Sequence, residues 1–467
     1  MTLTSVVVLL TVLMGGVGVC VADYGPDDRN QQTPPPVQPG EGIPMGRLVF
    51  SPSVLVGTEF DSNIYSIESG FQFTLADGSV VKLAPQSDTV SMARARLALK
   101  LPFSHSFASL VWTPQHREYG RADTALKTSH TIEFDSRLNF SSGVSVRAQD
   151  TLLLGFVDVS TISSDGTPSF LSTPYTRNSP EVLVDWPLGN GWGFTGDWEQ
   201  QDYVFEATKT GATITQSPGS SSGARGLFDF FDYVTNVIKL GAFREMGRYR
   251  LYGTLDVGRT DQDRANYARS HCDFSLPDAL LSDYCKQLKA VPQERIEQKD
   301  AMVGVRGRLF ANAEGAFEAG LTTWKFLYGN TSPYTGISLS GRIAYTMNRM
   351  TTATLVVEHQ PSQASGQYTG YYLTTRATLG IEHKFTMSLS GRAGLMYMMT
   401  EFPDPKTGWV YREYFGDFEA VYRPGHASSS GPFEIVLSYK PEVTRTSLVG
   451  RNVNGQRIGL SFQYGWF

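Results

Sequence analysis

The fold is decided by residues 301–327, which read AMVGVRGRLFANAEGAFEAGLTTWKFL. Two runs of alternating residues flank a short turn in this stretch. Val303 and Val305 alternate with glycine and arginine before the turn, and Phe317 and Leu321 alternate with polar or small residues after it. A period of two over this length is typical of strands with one apolar face, so the stretch predicts a β-hairpin.

Outward from this hairpin, the same unit recurs at 129–156, 234–260, 335–360 and 370–401. The pattern predicts about 18 strands, with 16 or 20 left open because strand boundaries are uncertain by about 2–4 residues. The predicted strands are 48–59, 89–101, 106–118, 127–140, 143–158, 180–187, 191–207, 232–244, 247–261, 299–311, 314–328, 335–346, 351–361, 369–382, 387–402, 410–423, 431–445 and 455–467.

Connections after even-numbered strands are predicted to be short, whereas those after odd-numbered strands are longer, including 60–88, 159–179, 208–231 and 262–298. Short turns on one side, long loops on the other and an even strand count are typical of bacterial outer-membrane barrels. We therefore predict an all-β fold, a transmembrane antiparallel up-and-down β-barrel over 47–467, with periplasmic turns and extracellular loops.

Composition agrees with a barrel wall in outer-membrane lipid. Aromatic residues make up 12% of the chain and charged residues only 18%, below the roughly 25% usual in globular proteins. No internal apolar run approaches the roughly 20 residues of a transmembrane helix. The formal net charge of −5 does not favour nucleic acid as a partner.

Aromatic residues near the predicted strand ends are expected to form girdles at the lipid headgroups. The outer set is Trp324, Tyr328, Tyr371, Trp409 and Tyr411, and the inner set is Phe140, Phe310, Phe385 and Trp466. The last strand alternates from Ile458 to Trp466 and stops at Phe467, resembling the signal read by the outer-membrane assembly machinery. Phe467 departs from that pattern because Trp466 occupies the apolar face.

The N-terminus predicts export. Residues 1–22 resemble a signal peptide with a small-residue cleavage site before Asp23, although no Lys or Arg precedes the apolar stretch. A lipoprotein modified at Cys20 and an uncleaved anchor are the alternatives. Residues 23–46 are rich in proline and predict an extended linker.

Two cysteines remain after signal cleavage, Cys272 and Cys285, in a polar stretch. An even pair in an exported protein predicts a disulfide, and a zinc site is disfavoured because His271 is the only nearby histidine. Residues 276–288 could form a short helix that the disulfide closes into a cap.

The first strand and the residues after it carry a resemblance to a known family. Residues 48–65 read LVFSPSVLVGTEFDSNIY, a proline-containing strand that runs into Asp61-Ser62-Asn63 and an apolar residue. This stretch resembles the opening of the β-barrel porin-2 family. The resemblance implies an outer-membrane barrel. Several members of the family accompany exopolysaccharide or capsule synthesis, so the resemblance also implies periplasmic or inner-membrane polysaccharide export machinery as a partner.

Strand parity predicts which charged side chains face the lumen, because charge on the lipid face costs about 2–4 kcal/mol at the midplane for Arg or Lys. The lumen-lining candidates are Arg94, Arg96, Lys100, Arg147, Lys239, Arg250, Arg306, Arg308, Glu318, Arg342, Glu358, Arg376, Glu382 and Arg392. The same rule adds Glu133, Asp185, Asp197, Asp256, Asp417 and Glu419. The signs are nearly balanced, which favours a cross-strand ladder of opposite charges; arginine tracks that guide an anionic sugar polymer are the second interpretation.

No catalytic site, metal site or cofactor is predicted. The seven histidines lie mostly in predicted loops or strand ends, without clustered Ser and Asp partners, and no Gly-x-Ser-x-Gly or nucleotide-binding motif occurs. An enzyme is therefore disfavoured. Three functions remain: a passive conduit for secreted polysaccharide, a general or substrate-selective porin for small solutes, and a structural or adhesive barrel.

Overall fold

The computed structural model describes residues 42–465 except for 66–68, 71, 75–79, 83, 104–105, 122–126, 163–167, 206–231, 264–274, 276, 282–285, 287–288, 290–292, 328–331, 364–370, 403–408, 425–432 and 447–451. The predicted signal peptide, most of the predicted linker, all three cysteines, Tyr328, Trp466 and Phe467 lie outside the described residues. The predictions made for them stay predictions.

Eighteen long antiparallel strands form the wall, as the alternation predicts. They are β1 Leu48–Asp61, β2 Asp88–Phe103, β3 Ser106–Tyr119, β4 Thr128–Asn139, β5 Ser145–Ile162, β6 Pro168–Gly189, β7 Trp192–Phe205, β8 Asp232–Met246, β9 Tyr249–Asp263, β10 Gln293–Phe310, β11 Ala313–Phe326, β12 Tyr334–Asn348, β13 Thr351–Gln363, β14 Tyr371–Lys384, β15 Leu389–Phe402, β16 Trp409–Tyr422, β17 Phe433–Thr446 and β18 Val453–Gly465. Each strand pairs with its neighbours in sequence, and β18 pairs with β1. The sheet therefore closes on itself and leaves no free edge.

The alternation separates two faces of the wall. Large apolar side chains are exposed along one face, for example Val56, Leu255, Val303 and Leu321. A belt of exposed apolar groups around a whole molecule would be unfavourable in water, whereas it matches the hydrocarbon core of a bilayer. The opposite face carries the polar and charged residues and surrounds the lumen.

The seam between β1 and β18 is closed at its outer end by the Asp-x-Asn motif. Asp61 Oδ1 accepts a hydrogen bond from the Asn63 backbone N–H at 2.8 Å, and Asn63 Nδ2 donates to the Asn454 carbonyl at 3.2 Å. Ser62 and Gln456 exchange two further hydrogen bonds of 3.0 and 2.9 Å. The motif that carries the family resemblance therefore joins the two ends of the barrel.

Connection lengths follow the predicted parity with two differences. The loop predicted at 159–179 is wrong for most of its length, because Ile162 pairs with Pro168 and the hairpin of β5 and β6 continues outward. The turn 423–432 is the longest of the predicted short ones. On the outer side, the connection 62–87 contains a small hairpin of Gln72–Thr74 and Val80–Lys82.

Residues 43–45, predicted as linker, instead form a short strand that pairs with the start of β1. Gly46 has a φ of 67°, which a residue with a side chain rarely adopts, and this permits the tight turn between them. The barrel wall thus begins slightly before the predicted boundary.

The helix predicted over 276–288 is wrong at residues 277–281, where Leu280 N–H donates to the Pro277 carbonyl at 2.8 Å in a turn. Lys286 is helical, in agreement with the prediction. Lys289 donates to Asp278 at 2.9 Å, and this contact lowers the pKa of the Asp278 carboxyl. Among the described residues, no helix is long and apolar enough to cross a membrane.

Candidate functional site

The candidate site is the polar inner wall. Directly opposed residues of antiparallel strands share a face, so the register assigns each side chain to the lumen or to lipid. Arg94 lies opposite Leu55 and Gln115, and Arg96 lies opposite Ser53, while exposed Val54 and Val56 point to lipid. Around the closed sheet, the same register places all fourteen lumen-lining candidates on the inner face. Their role in transport stays a prediction.

An acidic sector occupies the middle of the inner wall on β6 to β11. Glu181, Asp197, Glu199, Asp256, Asp300 and Glu318 share this region with Lys239. Lys239 Nζ lies 3.0 Å from Glu199 Oε2 and 3.4 Å from Asp197 Oδ2. One ammonium therefore holds several carboxylates in place.

A second network lies below the acidic sector, near the periplasmic rim. Arg250 donates to Asp185 Oδ2 at 3.4 Å and to Glu245 Oε1 at 2.5 Å, and its guanidinium lies 3.8 Å from the centroid of the Phe243 ring. Arg306 is 4.0 Å from Asp185. Arg250 is thus paired with two carboxylates of the wall, and Arg306 shares one of them at a longer distance.

A third network crosses β13 to β18. Arg376 lies opposite Glu358 and donates to its carboxylate in a short contact. Arg392 lies between Glu382 and Glu419, at 3.8 and 3.5 Å. The contacts Lys440–Asp417 and Arg457–Glu442 continue it at 4.0 and 3.9 Å.

The predicted ladder of opposite charges is present in this third network, and Lys239 likewise lies directly opposite Asp197 and Asp256. Other directly opposed pairs on β6 to β10 carry like charge: Glu181 faces Glu199, Asp256 faces Asp300 and Arg250 faces Arg306. Like charges directly opposite each other are destabilising. Between β9 and β10 the register thus brings like charges together, which parity could not show because it assigns a face and leaves the register unknown.

A basic sector lies on β2 and β3 and consists of Arg94, Arg96 and Arg117. Within the described part of the chain, no carboxylate oxygen lies within 4.0 Å of these guanidinium groups. Gln115, with its amide oxygen turned toward Arg117, accepts from Nε at 2.7 Å and from Nη2 at 2.8 Å. Lys100, further along β2, lies 5.2 Å from the centroid of the Phe107 ring.

Arg117 was missed at the sequence level. It lies between His116 and Glu118, so no apolar residue marks the outward face at this end of β3. Counting by two from exposed Trp112 places Arg117 on the inner face, and this signal could have found it.

The predicted outer aromatic girdle was wrong in part. Trp324 is only 7% exposed and pairs with Tyr334 and Gln298 on the inner face. Tyr371 is 8% exposed and packs against Phe326, with ring centroids 5.7 Å apart. Their burial removes these rings from the lipid headgroups. The inner girdle differs, since the described residues Phe140, Phe310 and Phe385 are all exposed near the periplasmic rim.

Comparison with known proteins gives a family match over part of the chain and a set of distant structural matches. Residues 284–462 match the family model described as "Putative beta-barrel porin 2". The comparison with curated proteins finds no match. No group of three or more His, Cys, Asp or Glu in a metal-binding arrangement occurs among the described residues.

Solved outer-membrane barrels are similar in fold. The siderophore receptor PiuA from Acinetobacter baumannii has a TM-score of 0.46 and 7% identity, over 91% of this chain and 82% of that chain. OccK11 (OpdR) from Pseudomonas aeruginosa has a TM-score of 0.41 and 10% identity, over 90% and 96%. The outer membrane protein opdK from the same organism has a TM-score of 0.42 and 11% identity, over 89% and 98%.

Proposed function

We propose that this chain is a passive outer-membrane conduit for a secreted polysaccharide, and the match of residues 284–462 to the family described as putative beta-barrel porin 2 supports the proposal. It is a porin-like β-barrel of the bacterial outer membrane, and we propose a polysaccharide as the molecule that it transports. We find no nucleotide-binding motif in this sequence, so the energy for export would come from a periplasmic or inner-membrane apparatus that delivers the polysaccharide.

The observation that carries the proposal is the inner wall rich in charged and polar side chains of a closed barrel with eighteen strands. Barrels of 16–18 strands are wide enough to leave an aqueous channel. Hydroxyl groups such as Thr235 and Thr260, which hydrogen-bond at 2.8 Å, alternate along this wall with paired charges. A sugar chain can exchange weak hydrogen bonds with such groups as it slides.

Ion pairing supports sliding over tight binding. Arg147 makes a two-point contact with Asp135 at 3.1 and 3.2 Å, and Arg250 and Arg376 are similarly engaged by carboxylates. These cations are already satisfied and offer a passing polymer only weak contacts. Because a sliding polymer needs many weak contacts, single Ala substitutions at Arg250, Arg306, Arg342 or Arg376 should reduce export modestly, and replacing several together should reduce it more.

The second candidate function is a substrate-selective porin for small solutes. The basic sector on β2 and β3 favours it, because cations without carboxylate partners could select anions at any chain length. A structural or adhesive barrel is the third candidate, and it would need neither polarity nor open space inside.

A clean gene deletion separates the three. The conduit requires loss of surface polysaccharide with unchanged uptake of small sugars and ions, restored by the wild-type gene. A porin for small solutes would give slower uptake with normal surface polymer. Normal polymer and normal uptake together, in a strain with no second barrel to compensate, would leave only the adhesive role.

A further inference from the structure

We propose that Arg94, Arg96 and Arg117 form a binding site for the carboxylate groups of an acidic sugar. The inference rests on the proposed conduit only in its choice of a sugar polymer as cargo. Arg94 and Arg96 are two residues apart on β2, and Arg117 lies opposite Met92, diagonal to Arg94. The three side chains therefore share one patch of the inner wall.

Among the described residues, no carboxylate forms a salt bridge with the charges in this patch. The charged groups acting on Arg94 are Arg96 and Arg117, both cations. For Arg96, the charged group is Glu133, which lies on β4 beyond salt-bridge distance. In contrast, Arg147, Lys239, Arg250, Arg376 and Arg392 each contact a carboxylate.

Burial makes the lack of a carboxylate partner significant. Arg96 is 6% exposed and Arg117 is 8% exposed. The Arg96 Nε has no hydrogen-bond partner within the described part of the chain. A buried charge is costly unless an opposite charge and hydrogen bonds compensate it, and a bound anion would supply both. Arg94 is only half-buried and therefore presents the patch to the lumen.

The chemistry of the three groups selects the ligand class. Guanidinium groups present paired N–H donors that match the two oxygens of a carboxylate. Neighbouring Ser53 and Thr113, on the same face, add hydroxyl groups suited to a sugar. Two sources share this chemistry: a free uronic acid and a polymer that contains uronic acids.

The test uses the full-length protein in planar lipid bilayers, with current block as the readout. The probes are a short linear oligomer of galacturonic acid, its monomer, and a neutral galactose oligomer of equal length. The wild-type channel should be blocked by the acidic oligomer and not by the neutral one. In R94Q/R96Q/R117Q the half-blocking concentration should rise about tenfold, because three screened charge contacts are lost together.

The matched control is R392Q/K440Q/R457Q, which removes three positive charges from positions that are ion-paired. It should retain the block, as should R94K/R96K/R117K, which keeps the charge of the patch. Heat-modifiable migration on gels checks that every variant still forms a barrel. Equal loss of block in both glutamine variants would overturn the site, since it would show dependence on the total lumen charge alone.

Further outcomes identify the source of the ligand and separate failure of this site from failure of the proposed function. A block that strengthens with chain length supports a polymer, whereas an equally strong monomer block supports the site and assigns it to small organic anions. Absence of any block in the wild-type channel overturns the site and leaves a conduit for neutral polymer intact. A deletion strain with normal surface polysaccharide overturns the conduit even if the arginine-dependent block persists.

Discussion

Replacing Lys239 by methionine should destabilise the barrel through charge and not through size. The Lys239 ammonium contacts Asp197 and Glu199, and Asp256 lies directly opposite it on β9. The Lys239 side chain is 27% exposed and both contacting carboxylates are 11% exposed, so water screens them only in part. Breaking a buried pair costs about 3–5 kcal/mol, and partial screening in an aqueous lumen reduces this to roughly 2–3 kcal/mol.

The assay is reversible urea unfolding of the barrel in lipid vesicles, followed by tryptophan fluorescence. K239M should lower the free energy of unfolding by about 2–3 kcal/mol, while K239R should lower it by less than about 1 kcal/mol because the charge is kept. K239M/E199Q should recover part of the loss, since one unpaired carboxylate is removed. A K239M barrel as stable as wild type would refute the reasoning.

Leu255→Arg should destabilise the barrel by about 2–4 kcal/mol because Leu255 is exposed to lipid near mid-strand. The control, Thr254→Arg on the inner face, should cost much less. Urea unfolding of both variants in vesicles measures the difference. Asn63→Ala should lower the free energy of unfolding by about 1 kcal/mol, because the seam loses a partly buried hydrogen bond. The temperature of the heat-induced gel shift should fall with it. An unchanged transition would show that the motif does not hold the seam. Cys272 and Cys285 should form a disulfide that stabilises their loop by roughly 3 kcal/mol. Thiol titration of the unreduced, unfolded protein should therefore find no free thiol from this pair, and the double Ser variant should still insert.

Strand number and closure could be predicted from sequence because lipid and water impose alternation on every strand that crosses the membrane. The rule weakens where strands leave the bilayer. β6 begins at Pro168, yet the sequence predicted a start at 180, because outside lipid no apolar face is required and the alternation disappears. The same loss of contrast hid Arg117 at the outer end of β3.

For the candidate site, the sequence could predict which side chains lie on the inner face of the barrel, but not which of them pair with one another. Parity places Arg250 and Arg306 on the inner wall, but their direct opposition depends on the register between β9 and β10. The sequence also does not show which side chains form salt bridges. It therefore could not distinguish Arg376, which is paired with a carboxylate, from Arg94, which has no carboxylate within salt-bridge distance among the described residues. Trp324 shows the converse error, since an aromatic residue near a strand end can pack inward against Tyr334 as well as outward toward headgroups.

The central claim, that the lumen passes a polymer chain, is tested most directly by release from proteoliposomes. Vesicles that contain the purified barrel are loaded with fluorescently labelled linear acidic polysaccharide and, separately, with a labelled globular protein of equal mass. The conduit predicts release of the linear chains and retention of the globular protein. Release of monosaccharides with full retention of the linear chains would contradict it and identify a porin for small solutes.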